Sequence, residues 1–257
     1  QGLGHPLYLK RAEGAYLIDV SDEHYLDMSC GHGAALLGHG HPAVKKALVT
    51  AAELGVCCAA DMPYHIDLAE KLCEIIPCAE RIRFTNSGSE ATLHALRLCR
   101  AVTGKDKILR FTGHFHGYHE LTFIGGHPPK EELDRASRYR ESPGIPEPMT
   151  QFIVAVPFND LETVERVLEQ QGDEIATVIL EPVNFNSGGI PPQPGYLEGL
   201  RELTRKYQVL LFFDEIQTSF KKSPGGAQED FGVTPDLCTI GKALGGGLPL
   251  SAICGPA

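Results

Sequence analysis

Apolar and polar positions change period several times along the chain. Residues 15–28 hold two short apolar runs, AYLIDV and HYLDM, on either side of Ser21-Asp22-Glu23, and predict two strands about a turn. Pro42 suits the first turn of a helix running to about Glu53, with Gly55 just past its end. A second helix is predicted over about 65–76, stopping before Pro77. From residue 81 the pattern alternates. RIRFT (81–85), KILRF (107–111), FIVAV (152–156), TVILEPV (177–183), VLLFFDE (209–215) and LCTIG (237–241) read as short strands. Between them, Glu90 to Val102, Leu161 to Gln170 and residues 195–207 read as helices. In the first of these, Ala91, Ala95, Leu98 and Val102 recur at helical spacing, and Gly104 lies beyond the end. Residues 125–150 are rich in Gly, Pro and charge, and predict a long loop with room for a helical turn. Short strands alternating with helices predict an α/β fold around a mainly parallel, buried sheet. In such sheets the ligand site lies beyond the carboxyl ends of the strands, and the polar motifs of this chain fall there.

Composition narrows this picture. A chain of 257 residues, 42% of them hydrophobic, is long enough to bury a substantial core as one large domain or a domain plus a small lobe. The net charge of −10 argues against nucleic-acid binding, which needs basic surface, and leaves any anionic ligand to local donors. Eight cysteines are scattered (Cys30, Cys57, Cys58, Cys73, Cys78, Cys99, Cys238, Cys254) with no C-x-x-C pair, so neither zinc nor a thioredoxin-like motif is suggested. Several fall in apolar runs, where a free thiol behaves as a small hydrophobe, and we read a reducing, cytoplasmic setting. No run is apolar and long enough for a membrane span, and no signal peptide is expected at the start.

Four motifs could carry chemistry. In Thr85-Asn86-Ser87-Gly88-Ser89-Glu90 a strand ends and a helix begins; exposed N–H groups, the helix dipole and two hydroxyls form an anion site. Taken by itself the turn is satisfied by a capping box, Ser87 with Glu90 three residues on. In LLFFDEIQ (210–217) four apolar residues place Asp214 and Glu215 at a strand's carboxyl end. A P-loop NTPase puts a magnesium-binding carboxylate in this context, but the chain has no G-x-x-x-x-G-K-[ST]. Asp214 paired with a pyridinium nitrogen, as in pyridoxal-phosphate (PLP) enzymes, is the other reading; a strand-end acid capping the next turn is the ordinary one. In Ile240-Gly241-Lys242-Ala243-Leu244-Gly245-Gly246-Gly247-Leu248-Pro249 a lysine follows an apolar strand and precedes three glycines and a proline. A lone lysine is ordinarily a solvated surface residue, whereas a partly desolvated one here could form a Schiff base. Finally, Gly113-His114-Phe115-His116-Gly117-Tyr118-His119 does not match the spacing of the helical two-histidine zinc motif, and we read no metal site there. Phe115, in a Gly-flanked loop, suits stacking on a flat ring.

Anion turn, aromatic loop, strand-end Asp and Gly-flanked Lys follow one another as in fold-type I PLP enzymes. The chain resembles class III aminotransferases, and within them the glutamate-1-semialdehyde 2,1-aminomutase branch. The resemblance is carried by EGAYLIDV (13–20), LGHGHPAV (37–44), FTNSGSEAT (84–92), PFNDLETV (157–164), IPPQPGYLEGLREL (190–203), LLFFDEIQTSF (210–220), PGGAQEDFGVTPDL (224–237) and IGKALGGGLP (240–249). It implies the fold-type I large domain, a three-layer α/β/α unit with a mainly parallel sheet. It also implies PLP as cofactor, with Ser87, Gly88 and Ser89 at the phosphate, Phe115 on the ring and Asp214 at the ring nitrogen. Gln217 would lie near the ring hydroxyl and Lys242 would be the Schiff-base lysine. The implied activity moves an amino group between an amino compound and a keto acid or aldehyde, in a homodimer. A 2,1-aminomutase, which returns the amine to the same molecule, is the alternative; a catalytically silent PLP-binding or interaction protein left by truncation is the reading from another class.

Measured against this family, residues 1–55 form an N-terminal segment and 56–257 a large domain incomplete at its C-terminal end, with the C-terminal small domain absent. A strand near 251–254 is expected inside the sheet without its following partners. Gln217 resembles the transaminase side of the class, while the Gly-Gly-Ala-Gln run (225–228) and IPPQPG resemble the aminomutase side. Ser219 and Lys221-Lys222 stand where Gly and Arg are more usual.

Overall fold

The computed structural model describes residues 6–55 and 60–257; Cys57 and Cys58 lie outside the described residues. The chain opens with a three-stranded antiparallel sheet of β1 (Leu9–Glu13), β2 (Tyr16–Asp19) and β3 (His24–Leu26). The turn between β2 and β3 closes on the Asp19 carboxylate, which accepts from the N–H groups of Ser21 (2.8 Å) and Glu23 (3.0 Å). β1 escapes a reading by apolar period because LKRAE is polar and mostly exposed on both faces. A single turn, α1 (Cys30–Gly33), follows, and then α2 (Pro42–Leu54) and α3 (Pro63–Ile75), each with proline in its first turn.

The main sheet has seven strands: β4 (Arg81–Thr85), β5 (Lys107–Phe111), β6 (Ile153–Val156), β7 (Ile175–Leu180), β8 (Leu210–Asp214), β9 (Leu237–Ile240) and β10 (Ser251–Gly255). Their order is β4-β10-β9-β8-β7-β5-β6. All neighbours pair in parallel except β10, which runs antiparallel to both β4 and β9. The strand near 251–254 lies inside the sheet as expected, and both its neighbours precede it in the chain. β10 is paired on both sides, because β4, made far earlier in the chain, closes over it. The helices between the strands are α4 (Gly88–Thr103), α5 (Leu161–Gln171), α6 (Tyr196–Lys206) and the short α7 (Gly226–Phe231). The loop expected over 125–150 contains 3₁₀ turns at Lys130–Arg138 and Glu147–Phe152.

Alternation along the strands builds the layers. Val178 and Leu180 of β7 and Leu211 and Phe213 of β8 join one buried cluster with Leu72 of α3, Val164 and Leu168 of α5, and Leu197 and Leu200 of α6. Ile179 and Phe212 point the other way, into a second cluster with Ala91, Ala95, Leu96 and Cys99 of α4. The result is the three-layer α/β/α unit with helices on both faces of the sheet. No helix among the described residues is long and apolar enough to cross a membrane.

This topology sets the site. β4, β7, β8 and β9 point the same way, so Thr85, Leu180, Asp214 and Ile240 end at one edge of the sheet, where β10 begins with Ser251. The segments that follow those strand ends are the anion turn, Glu181, the Asp214-Glu215 loop and Lys242.

Candidate functional site

Along β8 the apolar run Leu210–Phe213 is buried, and the first polar residue, Asp214, emerges at the carboxyl end still only 3% exposed. Its Oδ1 accepts from the Thr239 hydroxyl (3.0 Å) and the Ile216 N–H (3.2 Å). Thr239 can do this because it is the register partner of Asp214 on β9. On the other side, Oδ2 is 2.7 Å from Nδ1 of His116. Burial, with Arg110 adding to it, holds His116 well below the usual histidine range. His116 is therefore neutral, its Nδ1–H donates to Asp214, and its Nε2 has no partner among the described residues. All three donors on Asp214 are thus uncharged. Burial pushes this carboxyl up to about 6, opposed by the Ile216 and Thr239 hydrogen bonds and by Lys242. Glu215, the next residue, turns away. It accepts from the Ala227 N–H (2.5 Å), the Gln228 side chain (2.9 Å) and the Thr218 hydroxyl (2.9 Å), and so ties the start of α7 to the strand end.

α4 starts at the end of β4. Ser87 is its N-cap, accepting from the Glu90 N–H at 3.2 Å, and the Glu90 carboxylate reaches back to the Asn86 N–H at 2.9 Å. The capping reading and the anion reading are compatible. A hydroxyl that accepts from a backbone N–H still has its own proton to donate. Ser89 Oγ likewise accepts from the Tyr118 N–H at 3.2 Å. Gly117, at φ 107°, lies so close that a Cβ there would meet the Ser89 Cα at 2.8 Å, so the aromatic loop packs directly on the anion turn.

That aromatic loop is pinned from beneath. Arg110, in the middle of β5 and 1% exposed, donates to the carbonyls of Thr122, Ile124 (3.1 Å) and His114 (2.5 Å). Burial draws its guanidinium down to about 10, against the opposing pull of Glu141 and Glu181. The histidines of the loop go separate ways: His114 Nδ1 accepts from the Glu181 N–H (2.9 Å), His116 meets Asp214, and His119 meets the Thr92 hydroxyl (3.2 Å). Glu181, 2% exposed at the end of β7, accepts from the N–H groups of Phe115 (2.8 Å) and Phe185 (3.2 Å) and from the Asn186 amide (2.8 Å). Burial pushes it up to about 7 despite those bonds, with nearby Asp214 adding to the rise.

Lys242 follows β9 and sits at φ 46°, a left-handed conformation that costs a residue with a Cβ about 1 kcal/mol or more. Gly241 before it packs so tightly that a Cβ would meet Ser251 Oγ at 2.5 Å and Ile216 Cδ1 at 2.8 Å. Half-burial pulls the Lys242 amine below the usual lysine range, while Asp214 and Glu181 pull it back up. The Gln217 amide satisfies both its ends when its oxygen accepts from Lys242 Nζ (2.8 Å) and its nitrogen donates to the His32 carbonyl (3.2 Å).

A cavity of about 170 Å³ is lined by Ser87, Gly88, Ser89, Phe115, Asp214, Gln217 and Lys242, all seven residues singled out from the sequence, and also by His116, Glu181, Asn186 and Ser251, which were not. The signal for Glu181 was present: like Asp214, it is the first acid after a run of apolar strand residues, here Val178–Leu180. The pairing of His116 with Asp214 had no such signal, because the two lie 98 residues apart.

Removal of the Glu181 charge has a calculable consequence for the cofactor-free chain. A carboxyl raised to about 7 when folded and near 4.5 when unfolded takes up protons on folding, so its contribution to stability falls as pH rises between those values. Glu181→Gln should therefore look more favourable at pH 8 than at pH 5, relative to the wild type, by on the order of 1–3 kcal/mol in urea denaturation. A difference that does not change with pH would show that Glu181 is ionised in both states.

The fold and cavity define a class of protein: an α/β enzyme-type scaffold whose strand-end site combines an anion turn, a buried carboxylate with no ion-paired lysine or arginine among the described residues, and a half-buried lysine. The chain belongs to the class-III aminotransferase family, whose sequence pattern it matches over residues 2–257. It is 44% identical over 252 residues to glutamate-1-semialdehyde 2,1-aminomutase 2 of Brevibacillus brevis, covering 98% of this chain and 58% of that protein. It is 42% identical over 259 residues to glutamate-1-semialdehyde 2,1-aminomutase of Methanocaldococcus jannaschii, again covering 98% and 58%. Among solved structures, an omega-transaminase from Sphaerobacter thermophilus superposes with a TM-score of 0.91 at 36% identity, over 99% of this chain and 58% of that one. A glutamate-1-semialdehyde aminomutase from Pseudomonas aeruginosa gives 0.86 at 30%, over 97% and 54%. The chain thus spans somewhat more than half the length of these relatives.

Proposed function

We propose that the cavity holds PLP and that the chain is the cofactor-binding part of an enzyme that moves an amino group between an amino compound and a keto acid or aldehyde. The observation that carries this reading is Asp214. A carboxylate buried to 3%, bonded only to neutral donors and with no lysine or arginine paired to it among the described residues, calls for a cationic partner in the cavity. A protonated pyridine nitrogen supplies that charge. The anion turn fits the phosphate of the same molecule, since the first turn of the sixteen-residue α4 and the Ser87 and Ser89 hydroxyls face the cavity. Phe115 offers its ring as a wall, held in place by the Glu181 bond to its backbone.

When bound, PLP supplies an electron-poor ring that takes up the electron pair left when a proton leaves the substrate carbon. The chain supplies the rest. Lys242, its amine lowered by burial, is available as a nucleophile for the cofactor aldehyde. The same Nζ would be placed to take and return the substrate proton. Gln217 limits where that amine can swing by accepting a hydrogen bond from it. Asp214 would hold the ring nitrogen protonated, and His116 fixes the direction of the Asp214 carboxylate.

A 2,1-aminomutase is supported by the names of the Brevibacillus and Methanocaldococcus relatives, a transaminase by that of the Sphaerobacter structure. Product formation from an amino aldehyde with no keto acid added supports the mutase; dependence on a keto acid supports the transaminase. The first test of the shared reading is a visible spectrum of the purified chain with added PLP, before and after borohydride, with mass mapping of the labelled lysine. A band fixed onto Lys242 is the expected result. No band in folded protein would leave only a silent relative of these enzymes. The homodimer implied by the resemblance belongs to the same proposal.

A further inference from the structure

The ring assigned to the cofactor is held less firmly than its own backbone. The Phe115 N–H is tied to Glu181 at 2.8 Å, but the residue is only partly buried. Among the described residues two aromatic rings meet it. Phe123, which packs against the cluster beside α4, has its centroid 6.2 Å away at 75°. Tyr118 is nearer, 5.0 Å away at 70°, ring edge against ring face, and itself rests on Phe123 at 5.3 Å. Tyr118 is nevertheless 77% exposed, so burial does not explain where this large ring stands. Its backbone does. The Tyr118 N–H donates to Ser89 Oγ at 3.2 Å, Gly117 before it packs on the Ser89 Cα, and the Thr92 hydroxyl of α4 donates to the His116 carbonyl at 2.6 Å. Residues 116–118 are thereby fastened to the first turn of α4, and the Tyr118 ring reaches from that fixed base to Phe115.

We propose that Tyr118 is a positioning residue: braced on the anion turn, it fixes the Phe115 ring as a wall of the cavity, so that the ring and the phosphate of one ligand are received in register. This rests on the reading of the cavity as a PLP site and adds to it a residue outside the lining. The link is direct, because Phe115 and Ser89, which Tyr118 touches, both line the cavity. An aliphatic side chain at 118 would keep the backbone clamp and lose the edge-to-face contact. The phenol hydroxyl is dispensable, since the contact to Phe115 is made by the ring.

The test titrates the chain with pyridoxamine phosphate, which carries ring and phosphate but no aldehyde, so its affinity reads the cavity without the lysine link. Tyr118→Leu should weaken binding roughly three- to tenfold, the scale of one edge-to-face contact, and reduce the circular dichroism of the bound ring, which reports a fixed orientation. Tyr118→Phe should match the wild type, and the inhibition constant for inorganic phosphate should be the same in all three. Beside Phe115→Leu the Tyr118→Leu loss should disappear, because the ring it positions is gone. The urea midpoint should not move, as expected for a mostly exposed side chain. Equal binding by wild type and Tyr118→Leu, or a loss that persists beside Phe115→Leu or extends to inorganic phosphate, overturns the proposal while leaving the PLP reading intact. Failure of the wild type to bind pyridoxamine phosphate would overturn both.

Discussion

Replacing Lys242 with Ala should abolish borohydride labelling by PLP and lower turnover by roughly 10³-fold or more, with the fold retained. The magnitude follows from losing two roles together, the nucleophile and the proton carrier. The fold should survive because Lys242 already occupies a left-handed conformation at φ 46°, so Ala adds little strain, and because a half-buried amine is removed rather than added. Noncovalent affinity should persist, since the anion turn and Asp214 are untouched. Lys242→Arg separates charge from chemistry: it keeps a cation near Asp214 but offers no amine that can form the covalent link. It should bind PLP without labelling, as Lys242→Ala does. If label remains on Lys242→Ala, another lysine is the attachment point. Lys221, whose amine is also lowered by burial, is the first to map.

Why the site could be read from the sequence at all depends on the sheet. A parallel strand buried on both faces is an unbroken apolar run, so its end is marked by the first polar residue. Leu210–Phe213 then Asp214 show this directly, whereas β9 departs from it: Thr239, which donates to Asp214, stands inside Leu237–Ile240 before Gly241-Lys242. What could not be read is whatever depends on strand order. The placement of β10 between β4 and β9 brings Ser251 against Gly241, and no local pattern encodes that neighbour. Arg110 breaks the rule from inside: a cation in a buried strand, tolerated because three backbone carbonyls accept hydrogen bonds from its guanidinium. β1 was missed for the opposite reason, as its side chains are mostly exposed and need no apolar period. The histidine cluster was noticed for its spacing, but only the fold assigns each ring to its own partner, and only one of those partners, Asp214, carries the proposed chemistry.

That partner is where the second large effect lies. Asp214→Asn should retain PLP yet lower turnover by about 10²–10⁴-fold. Asn is nearly the same shape and can still accept from Thr239 and Ile216 through its oxygen. Its amide nitrogen would then face the Nδ1–H of His116, donor against donor. The conflict is relieved if His116 changes tautomer, so that Nδ1 accepts and Nε2 carries the proton. Nε2 has no partner among the described residues, so the change puts an unpaired N–H in a buried position. The substitution therefore removes the charge that keeps the ring nitrogen protonated and also disturbs the residue that orients it. In the cofactor-free chain the sign reverses. Asp214 is raised to about 6 when folded from about 3.8, so its ionisation opposes folding, and that cost is complete above the folded value and vanishes below the unfolded one. At pH 8, Asp214→Asn should thus unfold later in urea than the wild type, by on the order of 1–3 kcal/mol less the His116 conflict, and the advantage should shrink as pH falls through 6 toward 4. Lower turnover together with higher apo stability is what a buried carboxylate retained for a cationic ligand requires. A variant that loses both stability and activity at every pH would instead make Asp214 a structural residue of the β8–β9 strand ends.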